Sequence, residues 1–186
     1  MGRPGKHKDA IVSAAVELFR DRGYAHTGIA DILQRSGAPK GSLYHHFPGG
    51  KEQLGAEAVR SAGQVVTDTL RALVEQSGGG PDFLNAYFDL LALWVEQSDF
   101  RAGCPIATIL LEVAGDSAAI REAGADALIT WAMLIDEAMG CDDDTFGSIA
   151  VSAVEGAFLQ SRVLRSTEPI AVARDALLRL YEAQSM

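Results

Sequence analysis

From Ser36 to Leu54 the chain reads SGAPKGSLYHHFPGGKEQL. Lysines, serines, a tyrosine and two adjacent histidines crowd a stretch too polar for a buried helix and too aromatic for a plain linker. Such groups can hold a metal, move protons in catalysis, or donate to anionic oxygens. The first use fails on spacing: neighbouring histidines on a helix point about 100° apart. No carboxylate or thiol stands at ligand spacing to His26, His45 or His46. The Asp142–Asp144 run lacks the alternating ligands and distal Glu of a calcium loop, and reads as a solvated helix start. Catalysis fails on motifs. There is no G-x-S-x-G elbow, phosphate loop or dinucleotide glycine motif. A di-iron helical bundle needs Glu-x-x-His pairs, yet no histidine follows His46. The chain therefore reads as a non-enzyme with no catalytic residues, metal or cofactor. Donation to a polyanion remains.

The charge pattern agrees with that use. The net charge of −9 is the sum of two unlike segments. Residues 1–51 hold eight Lys/Arg against four Asp/Glu, whereas residues 52–186 hold eight Arg, no Lys and twenty-one acids. A basic head on an acidic body suggests two surfaces with different partners; chance scatter with a basic tail is the bland alternative. Cys104 and Cys141, neither in a C-x-x-C pair, fit a reducing cytoplasm better than a disulfide framework. No apolar run reaches membrane-span length and no apolar leader opens the chain, so the expected location is cytoplasmic, with no membrane partner.

The elements that must position these groups are helical throughout. Ile11, Ala14, Ala15, Leu18 and Phe19 repeat at the spacing of one helix face, ended by Gly23. Thr27 is the expected N-cap of a short second helix carrying Ile29, Ile32 and Leu33. A third, over residues 40–46, begins after Pro39 and closes at Phe47-Pro48-Gly49-Gly50. Longer helices follow: one from Lys51 to about Gln76, with Leu54, Ala58, Val65, Val66, Leu70 and Leu73 as its buried positions, then a break at Ser77–Pro81. Next come FLNAYFDLLALWVEQ, the short CPIATILLEVAG, and helices over 117–139, 144–165 and 169–183. No strand alternation and no repeat appears. The fold class is all-α: a three-helix head over residues 1–50 and a larger helical body over 51–186.

Three short helices, the last two joined by a tight turn at Gly37, form a helix-turn-helix pattern, whose final helix enters the DNA major groove. Gly41 and Ser42 let that helix approach base edges, and Lys40 reaches a guanine acceptor or a phosphate. Tyr44, His45 and His46 donate to flanking phosphates, while Leu43 and Phe47 face inward. Thr27 and Lys51 stand at helix starts, where the dipole favours a phosphate. Gly2–Lys8 has the composition of a basic arm along a groove edge, or of a tail with no fixed contact.

These residues resemble the N-terminal domain of the TetR family of transcriptional regulators. The likeness runs from Ile11 to Leu54 through the AA..LF first helix, the G-Y turn, T..I.DI, SGAPKGSLYHHF and K-E-x-L. Gly28 departs from the family, which more often has Ser or Thr there. By this resemblance Thr27, Lys40, Gly41, Ser42, Tyr44, His45, His46 and Lys51 fall on positions that contact operator DNA. FPGGKEQL and GCPIATILLEVA are similar to the LmrA/YxaF-type branch, which implies flavonoid-like or drug-like effectors.

For the body, the expected partner is a second copy. Phe146, Ile149, Ala150, Ala153, Val154, Ala157 and Phe158 keep one apolar face, as do Ile170, Ala173, Leu177, Leu180 and Tyr181. Small residues permit close helix approach, and the resemblance implies a four-helix homodimer interface; packing on the subunit's own core is the alternative. The resemblance also implies a small-molecule effector between Gln64 and Gly140. Phe88, Leu91, Trp94, Glu112, Trp131 and Ile135 are the candidate lining, an apolar wall with one carboxylate, although the same residues would suit an ordinary core. The expected function is a repressor released from a palindromic operator by a small, largely apolar ligand. The alternatives are a DNA-binding regulator or architectural protein without an effector, and a binder whose head no longer reads DNA.

Overall fold

The computed structural model describes residues 4–101, 103–141 and 145–184. Among these, nine helices and no strands are found: α1 (Pro4–Arg22), α2 (Ile29–Ser36), α3 (Lys40–His46), α4 (Gly50–Ser77), α5 (Gly80–Gln97), α6 (Ala107–Val113), α7 (Ala118–Met139), α8 (Phe146–Leu164) and α9 (Glu168–Gln184). Glycines and prolines set most of the boundaries. Gly37 ends α2 in the left-handed conformation at φ 64°, its amide donating to the Leu33 carbonyl. That turn is open to glycine without the penalty a Cβ would bring.

Packing divides the chain into two compact units, Met1–Val65 with Pro105–Ala127, and Val66–Cys104 with Leu128–Met186. In the first, α1 packs on α2, α3 and α6. Ile11, Ala14, Ala15, Leu18 and Phe19 are all buried, as the spacing predicts, beneath Ile32, Leu43, Phe47 and Leu54. In the second, α9 packs on α5 and α8, around Phe83, Leu84, Phe88, Val95, Phe146, Phe158 and Leu177. The helices α7 and α8 come close where Gly147 lies: a Cβ there would strike the Ala132 carbonyl. The Gly147 amide donates to Asp136 Oδ1 at 2.6 Å, satisfying one of the free amides at the start of α8.

Four expectations need correction. Helix α1 begins at Pro4, so Lys6–Lys8 belong to its first turns, and Lys8 pairs with Glu57 at 2.6 Å instead of trailing as an arm; Gly2 and Arg3 lie outside the described residues. The N-cap of α2 is Gly28, whose amide is bonded by the Asp31 carboxylate at 2.8 Å, not Thr27. Val65 is exposed, not buried. On α8, Phe146, Ala150, Val154, Ala157 and Phe158 are buried within their own chain, as are Ile170 and Leu177 on α9, whereas Ile149 is exposed and Ala153 and Ala173 line an open groove; part of the face assigned to a partner is turned inward. The Asp142–Asp144 run lies outside the described residues.

Candidate nucleic-acid interface

Helix α3 is too short to be stable by itself. It is held by Leu43 and Phe47, both fully buried, each contributing about 1.5–3 kcal/mol of apolar burial. Seating those two side chains fixes what faces out. Lys40, Gly41, Tyr44 and His45 are exposed, and Ser42 and His46 are half-buried. Tyr44 keeps 47 % of its surface in solvent, high for a large aromatic residue. Around Gly41 a Cβ would meet nothing within 4 Å, so this part of the helix offers bare backbone to an approaching surface. The His45 and His46 rings meet edge to face, centroids 5.0 Å apart. Helix α2 is tied to α1 by Arg35, which donates through Nε and Nη2 to Glu17 Oε2 at 2.9 and 2.6 Å.

At the start of α4, Lys51 Nζ lies 4.2 Å from the centre of the Tyr24 ring. Partial burial lowers the pKa of its ammonium, opposed by the nearby Glu112 carboxylate. Burial, with Glu52 adding, pushes the Tyr24 hydroxyl up.

Thr27 does not join this surface. It is 1 % exposed, and its hydroxyl donates inward to the carbonyls of Gly23 at 2.8 Å and Leu18 at 3.3 Å. A hydroxyl committed to the end of α1 faces no phosphate. Of the eight residues assigned to DNA, the structure brings Lys40, Gly41, Ser42, Tyr44, His45 and His46 together on α3, with Lys51 at the base of α4.

The ligand residues also need one correction. Phe88, Leu91, Trp131 and Ile135 are buried in the second unit, and Trp94 meets Phe158 edge to face at 6.3 Å. Glu112 belongs to the first unit, where its Oε2 accepts the Ala25 amide at 2.7 Å. Its carboxylate serves the turn between α1 and α2, not a ligand wall. Sequence reasoning also missed a half-buried carboxyl, Glu155 on α8. Burial raises the Glu155 carboxyl pKa, while a hydrogen bond with the Cys104 thiol acts against that rise. Tyr87 is buried beside them, its hydroxyl pushed far up by burial and then by Cys104 and Glu155. The available signal was Glu155 as the lone acid in the α8 run SIAVSAVEGAFLQ. A groove of about 500 Å³ also runs between α8 and α9, lined by Ala153, Gly156, Ala157, Gln160, Val172 and Ala176. None of the six expected ligand residues lines it.

Among the described residues, no group of His, Cys, Asp and Glu could hold a metal ion, and no helix is long and apolar enough to cross a membrane.

Two short helices joined at Gly37, the second seated on its apolar side and showing cationic and hydroxyl donors on the other, define a helix-turn-helix DNA-binding protein. Comparison with known proteins agrees. Residues 11–58 match the family described as bacterial regulatory proteins, tetR family, and residues 82–176 match the LmrA/YxaF-like C-terminal domain of transcriptional regulators. An uncharacterized HTH-type transcriptional regulator of Mycobacterium tuberculosis is 38 % identical, covering 97 % of this chain and 96 % of its own. LmrA of Bacillus subtilis, an HTH-type transcriptional regulator, is 33 % identical over 89 % of this chain and 92 % of its own. Among solved structures, a TetR regulator from Legionella pneumophila shares the fold with a TM-score of 0.79 at 17 % identity, covering 93 % of this chain and 96 % of that one. The chain belongs to the TetR family of bacterial transcriptional regulators, and its C-terminal part is of the LmrA/YxaF-like type. It is a DNA-binding regulator, and these relatives are regulators, not enzymes.

Proposed function

We propose that the protein is a repressor that grips a palindromic operator as a homodimer and releases it when a small, largely apolar ligand binds the body. The observation that carries the reading is the exposed Lys40–Gly41–Tyr44–His45 face of α3 over its buried Leu43–Phe47 seat. Residues 1–50 act as the reading head and residues 51–186 as the sensing and pairing body. Lys40 and Ser42 address base edges; Tyr44, His45, His46 and Lys51 address phosphates. A single short helix binds duplex weakly, and two-fold pairing over two half-sites supplies the missing affinity.

Pairing is supported by the outward face of α8 and α9. Leu159, Val163, Leu164 and Val172 are 58–73 % exposed beside the small-residue groove, a surface that solvent covers poorly. Release is supported by kinship: KstR2 of Mycolicibacterium smegmatis is described as a transcriptional repressor, and EbrR, similar in fold at TM-score 0.69, as a multidrug binding protein complexed with ethidium. The ligand belongs to the second unit, where Phe88, Trp94 and Trp131 offer apolar contacts and Glu155 with Tyr87 offers polar ones. Helix α4 runs continuously from Lys51 into that unit, so a ligand favouring one α4 position shifts the spacing of the two reading heads. A coupling of roughly 1–3 kcal/mol weakens operator binding about 5–150-fold.

The test is selection of duplexes from a random pool, followed by a compound screen for release of the selected site. A salt-sensitive specific complex that at least one compound dissociates is the expected result. A specific complex that no compound weakens leaves a regulator without an effector. Failure to select any sequence removes the reading itself.

A further inference from the structure

The turn between α1 and α2 carries the reading head, yet its hydrogen bonding is completed from far along the chain. Thr27 closes part of the turn, its amide donating to the Tyr24 carbonyl and its hydroxyl to Gly23. The Ala25 amide is taken instead by Glu112 Oε2 on α6, at 2.7 Å and 87 residues away. Gly23 makes room for this. It sits at φ 86°, and a Cβ there would run into the Glu112 carboxylate. The next residue, Tyr24, packs against Phe19 with the rings tilted by 45° and supports the Lys51 ammonium with its ring. Another long-range bond to a carboxylate, this one between side chains, links Ser117, just before α7, to Glu52 in the first turn of α4, the hydroxyl donating at 2.6 Å.

We propose that Glu112 is a positioning residue for DNA recognition: its carboxylate oxygen, by accepting the Ala25 amide, fixes the α1–α2 turn that orients α2, α3 and the Tyr24 platform under Lys51. It contacts no DNA. Glu112 is exposed and is the only charged residue of α6. Its charge has the wrong sign for a phosphate neighbour, which gives the proposal a sharp test. If Glu112 were only a surface carboxylate near DNA, deleting it would tighten binding by removing repulsion. If it positions the turn, deleting it weakens binding.

The inference rests on α3 and Lys51 being the DNA-contacting surface. Full-length protein and the variants Glu112→Ala, Glu112→Asp and Glu112→Gln are titrated by fluorescence anisotropy against the duplex that the wild type selects, across a salt series. Exchange of the Ala25 amide is followed by NMR, and circular dichroism checks the fold. Aspartate keeps the charge but withdraws the acceptor by one methylene; glutamine loses the charge but keeps a carbonyl in reach. Alanine and aspartate are expected to weaken operator binding on the order of tenfold and to expose the Ala25 amide to exchange. Glutamine is expected to retain both protection and affinity. Alanine binding as tightly as wild type or tighter, or an Ala25 amide equally protected without the carboxylate, overturns the proposal. A wild type that selects no duplex instead overturns the DNA-contact reading, and the positioning role falls with it.

Discussion

Helix α3 and the body place their polar and apolar side chains in opposite ways. On α3 the ionisable and hydroxyl groups point to solvent and the apolar pair Leu43 and Phe47 is sealed inside. In the body, Tyr87, Cys104 and Glu155 are turned inward, while Leu159, Val163, Leu164 and Val172 stand outside. A charged surface meets a polyanion largely through counterion release, so its partner is felt through salt. An apolar surface is driven to another apolar surface, with little dependence on salt. The same all-helical vocabulary therefore yields two unlike surfaces that different solution conditions should separate.

The largest expected effect comes from breaking the apolar side. Leu159→Asp with Val163→Asp places two carboxylates on the outward face of α8, where both residues are more than half exposed and support no core. Sedimentation should show a monomer with unchanged helical content. Operator affinity should fall by on the order of 10²–10⁴-fold, because engagement of the second half-site ceases to be intramolecular. A dimer of normal affinity would show that this face is not the pairing surface.

Next is the charged side. Lys40→Ala with Tyr44→Ala removes an exposed cation and an exposed hydroxyl from α3 without touching Leu43 or Phe47. The variant should keep its melting temperature and its dimer, and bind operator about 10–100-fold more weakly. The slope of log affinity against log salt should flatten by about one for each phosphate that is no longer neutralised. Unchanged affinity for duplex of any sequence would end the reading of α3 as the probe.

The contrast also explains what the amino-acid sequence disclosed and what it withheld. Helix limits were legible because Gly23, Gly37 and the Ser77–Pro81 break act on the local backbone. The α3 face was legible because only two of its neighbouring side chains are large and apolar, so one seating is possible. Thr27 was misread because a threonine before a helix can cap forward or bond backward. The carbonyls of Gly23 and Leu18 decide the matter, and their positions come from the packing of α1. Glu112 was misread because its acceptor role is completed 87 residues away. Helix α8 is apolar on nearly every side, so periodicity could not tell the face that meets α9 from the face left exposed.

The smallest expected effect tests the inward polar groups of the body. Burial raises the folded-state pKa of Glu155, and the bond with the Cys104 thiol offsets part of that rise. A carboxyl whose folded pKa lies above its unfolded value favours the fold fully below the unfolded value. That contribution is lost as pH rises through the folded one. Above the ordinary carboxylate range, then, the partly buried carboxyl is a cost to folding that Glu155→Gln removes, while a carbonyl oxygen remains for the thiol. The variant should melt a few degrees higher than wild type near pH 7, on the order of the shift expected from about 1 kcal/mol in a chain of this size. The gap should close as pH falls into and below the ordinary carboxylate range, where wild-type Glu155 is protonated in both states. A variant equally stable at pH 7, or a gap that widens toward acid, would mean that Glu155 is as well solvated as the groups on α3, and the contrast between α3 and the body would fail at its polar end.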